Sequence, residues 1–356
     1  MNKKHIVIAA IVLIALVLYL QRGNLAMRIL PKAIETAMSA DPIEDLGAGL
    51  HVALCGAGGP LPDPKRSGAC VAVIAGEKMF IVDAGTNGAR NLGRMRYSVG
   101  AVEAVFLTHF HSDHIDGLGE LATLRWVSAN HKTPLPVFGP EGVSDIVDGF
   151  NTAYARDTQY RHDHHGDGVA ALSGRGMTAV GFLLPKEGEL LTVYQQDGLT
   201  VQMLAVDHHP VSPAVAYLFS YQGRTTLISG DTAKSTNLQE FAKDIDLLVH
   251  EALSARLVGV MNTAARNTNN TVMTKITVDI PDYHATPVEA AEIARDASVG
   301  HLLYYHIVPA LILPGMEAAW LDGVKDIFSD FTLGEDGTTF TLPPDSDEIR
   351  KVRQGI

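Results

Sequence analysis

The six residues His109-Phe-His-Ser-Asp-His114 constrain this chain more than any other stretch. They follow Val102–Leu107, an apolar run that reads as a buried strand. Side chains alternate along an extended segment, so His109 and His111 point the same way. Asp113 and His114 come where the chain turns into a helix, which swings a second pair towards a neighbouring point. Imidazole and carboxylate suit zinc and similar divalent ions, and three protein ligands plus water leave a reactive position open. The bland alternative is a solvated His/Asp loop. It accounts poorly for four metal-capable side chains in six positions, because buried charge and unpaired polar groups are costly.

Around this motif the pattern alternates between strand and helix. His51–Cys55, Cys70–Ala75 and Met79–Val82 read as strands, with a Gly/Pro-rich loop from Gly56 to Gly68. Helices are expected near 87–96, 118–126 and 142–154, and several strands between Gly176 and Ile228. The last third brings strand Leu247–His250, a helix over 287–297 and strand His301–Tyr305. Thr286-Pro-Val-Glu289 supplies an N-cap, a proline at the first helical position and a capping-box glutamate. Asn262–Thr271, rich in Asn and Thr, reads as a mobile loop. The whole predicts one α/β domain of two packed sheets flanked by helices over residues 47–345, with a C-terminal tail at 346–356.

The first residues differ. A basic Met1-Asn-Lys-Lys-His5 precedes Ile6–Leu20, an unbroken apolar run. Its length lies between a signal peptide's apolar region and a full span, and no A-x-A-like cleavage site follows. An uncleaved membrane anchor over 1–22 is the favoured reading, against a cleaved signal or a buried core helix. Residues 23–46 then form a tether, with Pro31 opening a short helix through Ala40 and Asp41-Pro42 stopping it. Lys3 and Lys4 argue for an N-terminus inside and Arg22, Arg28 and Lys32 against it; a basic start before an apolar segment generally directs export, so the body is expected outside the cytoplasm.

Cys55 and Cys70 fit no zinc-finger spacing. Two buried thiols are expected, with a disulfide in an oxidising compartment as the alternative. The net charge of −12, from 28 basic and 40 acidic residues, speaks against a nucleic-acid backbone as partner.

His-x-His-x-Asp-His after a buried strand resembles the signature of the metallo-β-lactamase superfamily. Val206-Asp-His-His-Pro-Val211 resembles its third-histidine motif, Ser229-Gly-Asp231-Thr its bridging-aspartate motif, and Tyr305-His306-Ile-Val-Pro309 its last ligand motif. The resemblance covers about Leu50 to Pro309 and implies a four-layer αββα sandwich. It implies a hydrolase with two zinc ions, or other divalent ions. His109, His111 and His208 would hold one, Asp113, His114 and His306 the other, and Asp231 would bridge them. Asp83 would orient a ligand imidazole, or merely end its strand. His250-Glu251-Ala and His284-Ala-Thr resemble motifs of the ribonuclease Z and arylsulfatase branches. There Asp113, His284 and Glu251 would carry catalysis, His284 as general acid with Glu251 as its partner. Arg161-His-Asp-His-His165 lacks metal-site spacing and reads as an exposed loop, with a pocket rim as the alternative.

Ribonuclease Z inserts a tRNA-gripping arm between the third histidine and the bridging aspartate. Only 22 residues separate His208 from Asp231 here. With the acidic charge and the expected export, this favours cleavage of a small anionic ester, an aryl sulfate or a phosphodiester, over tRNA 3′ processing. Lactone or thioester hydrolysis, and a non-catalytic metal-binding protein, are further alternatives. Self-association into a homo-oligomer is left open.

Overall fold

The computed structural model describes residues 2–39 and 42–356, and it separates an N-terminal helix from a body that begins at Ile43. The helix, α1 (Lys3–Ser39), is continuous over 37 residues, with an 18-residue window of mean hydropathy 2.3. It is long and apolar enough to cross a membrane. The separate helix expected to open at Pro31 is instead part of α1. Ala26-Met-Arg-Ile-Leu30 and Lys32-Ala-Ile-Glu35 are strong helix formers on both flanks, and they carry the helix past a residue that removes one hydrogen bond. The expected stop at Ala40 and Asp41 lies outside the described residues.

In the body, β1 (Leu50–Gly56), β2 (Cys70–Ala75), β3 (Lys78–Val82), β4 (Val102–Phe106), β5 (Leu135–Pro140) and β6 (Met177–Phe182) come first. β7 (Leu191–Gln196), β8 (Leu199–Ala205), β9 (Val215–Tyr221), β10 (Arg224–Ile228) and β11 (Leu247–Leu253) follow. β12 (His301–Val308), β13 (Phe331–Leu333), β14 (Thr339–Leu342) and β15 (Arg350–Arg353) end the series. One mixed sheet runs β15-β14-β1-β2-β3-β4-β5-β6, and the other runs β7 to β13 in chain order. The helices are α2 (Gly88–Arg94), α3 (Ser112–Ile115), α4 (Leu118–Ser128), α5 (Val143–His165), α6 (Thr236–Phe241), α7 (Ala255–Asn267), α8 (Thr271–Asp279), α9 (Pro287–Asp296), α10 (Met316–Trp320) and α11 (Val324–Ile327).

Strand sequences explain the layering. β1 is buried at every position, as a strand covered on both faces must be. Its Leu50, Val52 and Leu54 face the second sheet, while Ala53 and Cys55 join the layer under the helices. Between the sheets Phe106 stacks on Phe138 at 4.9 Å and meets Tyr217 and Phe219 edge-on at 5.4 and 5.6 Å. On the far face Ala290, Ala291, Ile293 and Ala294 of α9 pack with Leu248, Leu302 and Tyr304. The expected capping box is present, with Glu289 N–H donating to Thr286 Oγ1 at 3.2 Å and Thr286 N–H to Glu289 Oε2 at 2.8 Å. Two helix layers enclose two sheets, the expected αββα sandwich.

Four local readings are corrected. Residues 350–353 are no tail: they form β15 against β14 at the sheet edge. Asn262–Thr271 is no loop, because most of it is helical and the rest is the turn of the hairpin α7–α8. The stretch Arg161–His165 is the last turn of α5, which runs 11 residues beyond its expected end at Tyr154. Cys55 and Cys70 are not two thiols: they are joined as a disulfide, with Cα atoms 5.0 Å apart. β1 and β2 pair antiparallel with Gly56 opposite Cys70 and an irregularity at Leu54/Gly56, which brings the Cys55 side chain alongside.

Closing a loop of this length removes about 3 kcal/mol of unfolded-state entropy in the chain-entropy model. Replacing both cysteines by alanine is expected to lower unfolding stability by about that amount, read from urea midpoints. Peptide mapping without reductant should recover the Cys55–Cys70 crosslink.

Candidate metal centre

The chemistry-bearing residues gather where strands end. β4 leads to Thr108 and the His109–His114 run, β8 to His208, β10 to Asp231, and β12 carries His306. At the end of β3, Asp83 takes up a left-handed conformation (φ 57°) that aims its carboxylate under the motif. Thr108 N–H donates to its Oδ1 at 2.8 Å and Thr108 Oγ–H to its Oδ2 at 2.7 Å. Oδ2 is also 2.8 Å from His114 Nδ1. Asp83 therefore fixes one imidazole's orientation and leaves Nε2 facing inward, as a residue supporting a metal ligand would.

Other ligand-type residues are aimed by similar devices. His208 Nδ1 lies 2.8 Å from the Tyr283 carbonyl oxygen. His306 is the extra residue of a bulge, with Glu251 opposite Tyr305 and Ala252 opposite Ile307, and its φ is 44°. Bulges re-aim side chains next to active sites. Gly59 packs on the His306 ring, since a Cβ there would come within 3.1 Å of Cε1.

These devices converge on Asp231. Its Oδ2 lies 3.3 Å from His114 Nε2, 3.5 Å from His306 Nε2, 3.7 Å from His109 Nε2 and 3.8 Å from His208 Nε2. Asp113 Oδ2 is 3.1 Å from His306 Nε2. Potential ligand atoms of His109, His111, His208 and Asp231 lie within 4.8 Å of one another, and so do those of Asp113, His114 and His306. His109 Nε2, His114 Nε2 and Asp231 Oδ1 are buried without a hydrogen-bond partner. Two ligands of one tetrahedral zinc stand about 3.3 Å apart, so the spacing and the orphaned atoms both fit divalent ions.

Protonation differs across the cluster: against the penalty of burial, the charges of Asp231 and Asp83 raise His114, and Asp231 and Asp113 raise His306. Burial pushes His109, His111 and His208 below the ordinary histidine range, and neutral imidazole is the ligand form. Against the penalty of burial, the His306 hydrogen bond and the charge of His114 hold Asp113 at about 2.

His284 borders the cluster, with a ligand-type atom within 4.8 Å of those of Asp231 and His306. Its Nδ1 is 3.1 Å from Glu251 Oε1, which also accepts from Thr232 N–H and Ala285 N–H. Burial alone would depress His284, but the Glu251 charge and hydrogen bond raise it to about 9. Glu251 is fully buried. Its carboxylate meets the His284 ring and does not line the cavity beside the cluster. His164 and His165 are exposed at the end of α5, and His162 turns to the Ala170 carbonyl at 2.9 Å.

Motif reading missed the other wall of the site. A cavity of about 370 Å³ touches His111, Asp113, Asp231, His284 and His306. Its apolar lining is Leu61, Met261, Met273, Ile276, Ile280 and Val308. The apolar positions within α7 and α8 were a signal for that wall, masked by the Asn/Thr-rich turn between them.

Comparison with known proteins agrees with this geometry. The family model described as beta-lactamase superfamily domain matches residues 78–307. Ribonuclease Z of Mycolicibacterium paratuberculosis (strain ATCC BAA-968 / K-10) is 33% identical over 273 residues, 76% of this chain and 90% of that protein. Ribonuclease Z of Mycobacterium bovis (strain BCG / Pasteur 1173P2) shows the same identity and coverage. Among solved structures, human tRNase Z, short form, superposes with TM-score 0.59 at 20% identity, covering 82% of this chain and 99% of its own. The metallo-beta-lactamase fold protein YhfI from Bacillus subtilis gives 0.58 at 17%, covering 82% and 98%.

Replacing Asp83 by alanine would orphan Thr108 N–H and release the His114 ring. The expected loss is about 3 kcal/mol of stability, together with weaker metal retention, measured by denaturant titration and elemental analysis of the same preparation.

Proposed function

Because the chain belongs to the beta-lactamase superfamily and to its ribonuclease Z-like branch, we propose that it is a metal-dependent phosphodiesterase of small substrates. The observation that carries this reading is the buried cluster around Asp231, whose polar atoms lack partners and border an open cavity. His109, His111 and His208 would hold one ion, Asp113, His114 and His306 the other, with Asp231 shared. Zinc suits this donor set. Two such ions supply Lewis-acid polarisation of a phosphoryl oxygen and a water acidic enough to ionise near neutral pH.

The remaining work falls to the chain. Glu251 fixes the His284 ring through Nδ1, which leaves Nε2 for the cavity that His284 lines. From there a protonated His284 donates to the departing oxygen as general acid.

A second reading, tRNA 3′ processing, has the names of the relatives in its favour. The local structure favours it less. β9 and β10 join through Gln222-Gly223, so the interval between His208 and Asp231 holds a tight hairpin in place of a gripping arm. Aryl sulfates, the other ester considered from the sequence, gain nothing from these relatives.

We also infer a place for the protein. α1 has the length and composition of a membrane anchor, and a disulfide in the body suits an oxidising compartment. Both support an anchored body outside the cytoplasm. Protease added to intact spheroplasts should therefore digest the body, whereas complete protection would reverse the topology.

Purified, zinc-loaded protein should turn over bis-nitrophenyl phosphate and leave precursor tRNA uncut. His109→Ala and Asp231→Ala should each lower kcat/KM at least about a hundredfold and reduce bound metal. Site-specific trimming of a tRNA 3′ trailer would move the protein to the second reading.

A further inference from the structure

The cavity beside the cluster has two unlike kinds of lining residue. One is the ligand-type residues and His284; the other is Met261 on α7, Met273 and Ile276 on α8, and Ile280 just beyond. Among the described residues that line it there is no lysine or arginine. A nucleic-acid strand passing the centre would find no lysine or arginine there to replace its counterions.

The apolar side is held firmly. Ser254 caps α7 by accepting from Leu257 N–H, and Asn270 caps α8 by accepting from Met273 N–H at 3.0 Å. Asn262 ties the two helices, its amide donating to Thr274 O at 3.0 Å and Thr277 Oγ1 at 2.8 Å. Asn269, with φ 54°, makes the left-handed turn between them. Ile276 lines the cavity while 44% exposed, so the apolar side reaches solvent. Methionine adapts to irregular apolar shapes. At about 370 Å³ the cavity is near the lower limit for a ligand site.

We propose that the α7–α8 wall is a specificity pocket for an apolar arm of the substrate, a short alkyl chain or a single aryl ring. The substrate is then an amphiphilic ester, with its anionic group on the metal side and its arm between Met261, Met273, Ile276 and Ile280. This rests on the hydrolytic reading of the cluster and adds a substrate class to it.

The test is binding, so it does not depend on turnover. Full-length, zinc-loaded protein in lipid nanodiscs is titrated by calorimetry with methyl-, propyl- and hexylphosphonate. Kd should fall roughly two- to fourfold per added methylene, in line with the transfer free energy of a buried CH₂. In Met273→Gln and Ile276→Asp the hexyl-to-methyl ratio should shrink towards one, while Val260→Asp, on the hairpin but outside the cavity lining, should keep it. Equal Kd for methyl- and hexylphosphonate, no binding of any phosphonate, or an unchanged ratio in both pocket variants would overturn the proposal. An intact chain-length series without turnover of bis-nitrophenyl phosphate would instead remove the phosphodiesterase reading and keep the apolar pocket.

Discussion

Four imidazole nitrogens within 3.8 Å of one carboxylate oxygen, all shut away from water, form the constraint on which the rest of this body depends. Hydrogen bonds among the members leave His109 Nε2, His114 Nε2 and Asp231 Oδ1 without partners. Such atoms cost free energy wherever they are buried, and divalent cations are the natural remedy. The members come from both sheets: His109, His111, Asp113 and His114 follow β4 of the first, while His208, Asp231 and His306 come with β8, β10 and β12 of the second. The sheets must therefore meet in one register. The aromatic packing of Phe106 with Tyr217 and Phe219 sets that relation below the site, and the Tyr217 hydroxyl donates to the Leu107 carbonyl beside the motif at 2.8 Å.

Much of this was legible because chemistry repeats in short spacings. The His109–His114 run, the Thr286–Glu289 capping box and the fully buried strands each obey a local rule, and each forms as expected. The Cys55–Cys70 pairing was legible only as an alternative, since it depends on a strand register and an irregularity that no local pattern encodes. Pro31 is a similar case, where helix formers on both sides prevail over a residue that normally opens or ends a helix.

The hairpin shows a different limit. Asn and Thr disfavour helix interiors and favour caps and turns, so Asn262–Thr271 resembles a loop in composition. In the folded chain those preferences are used one residue at a time. Asn270 caps a helix, Asn269 turns the chain, and Asn262 bonds across to the partner helix. Composition averages these separate roles into an apparent absence of structure. The apolar wall of the site was hidden with them, because Met261, Met273 and Ile276 face the cavity only once the hairpin has formed.

The ligand constellation and its surroundings answer to different demands. Cations, a buried carboxylate and a general acid suit many esters, so the centre decides reaction type and leaves substrate choice to what adjoins it. A polyanion requires a surface that replaces many counterions, and most of the interval between His208 and Asp231 is spent on two strands and a two-residue turn. The α7–α8 hairpin instead offers methionine and isoleucine, which gain by excluding water from an apolar group. A substrate held there would lose part of its binding if the arm were charged, because a charge on that side would have to be desolvated without a partner. On the proposed reading, discrimination between esters with equal leaving groups would lie in the hairpin.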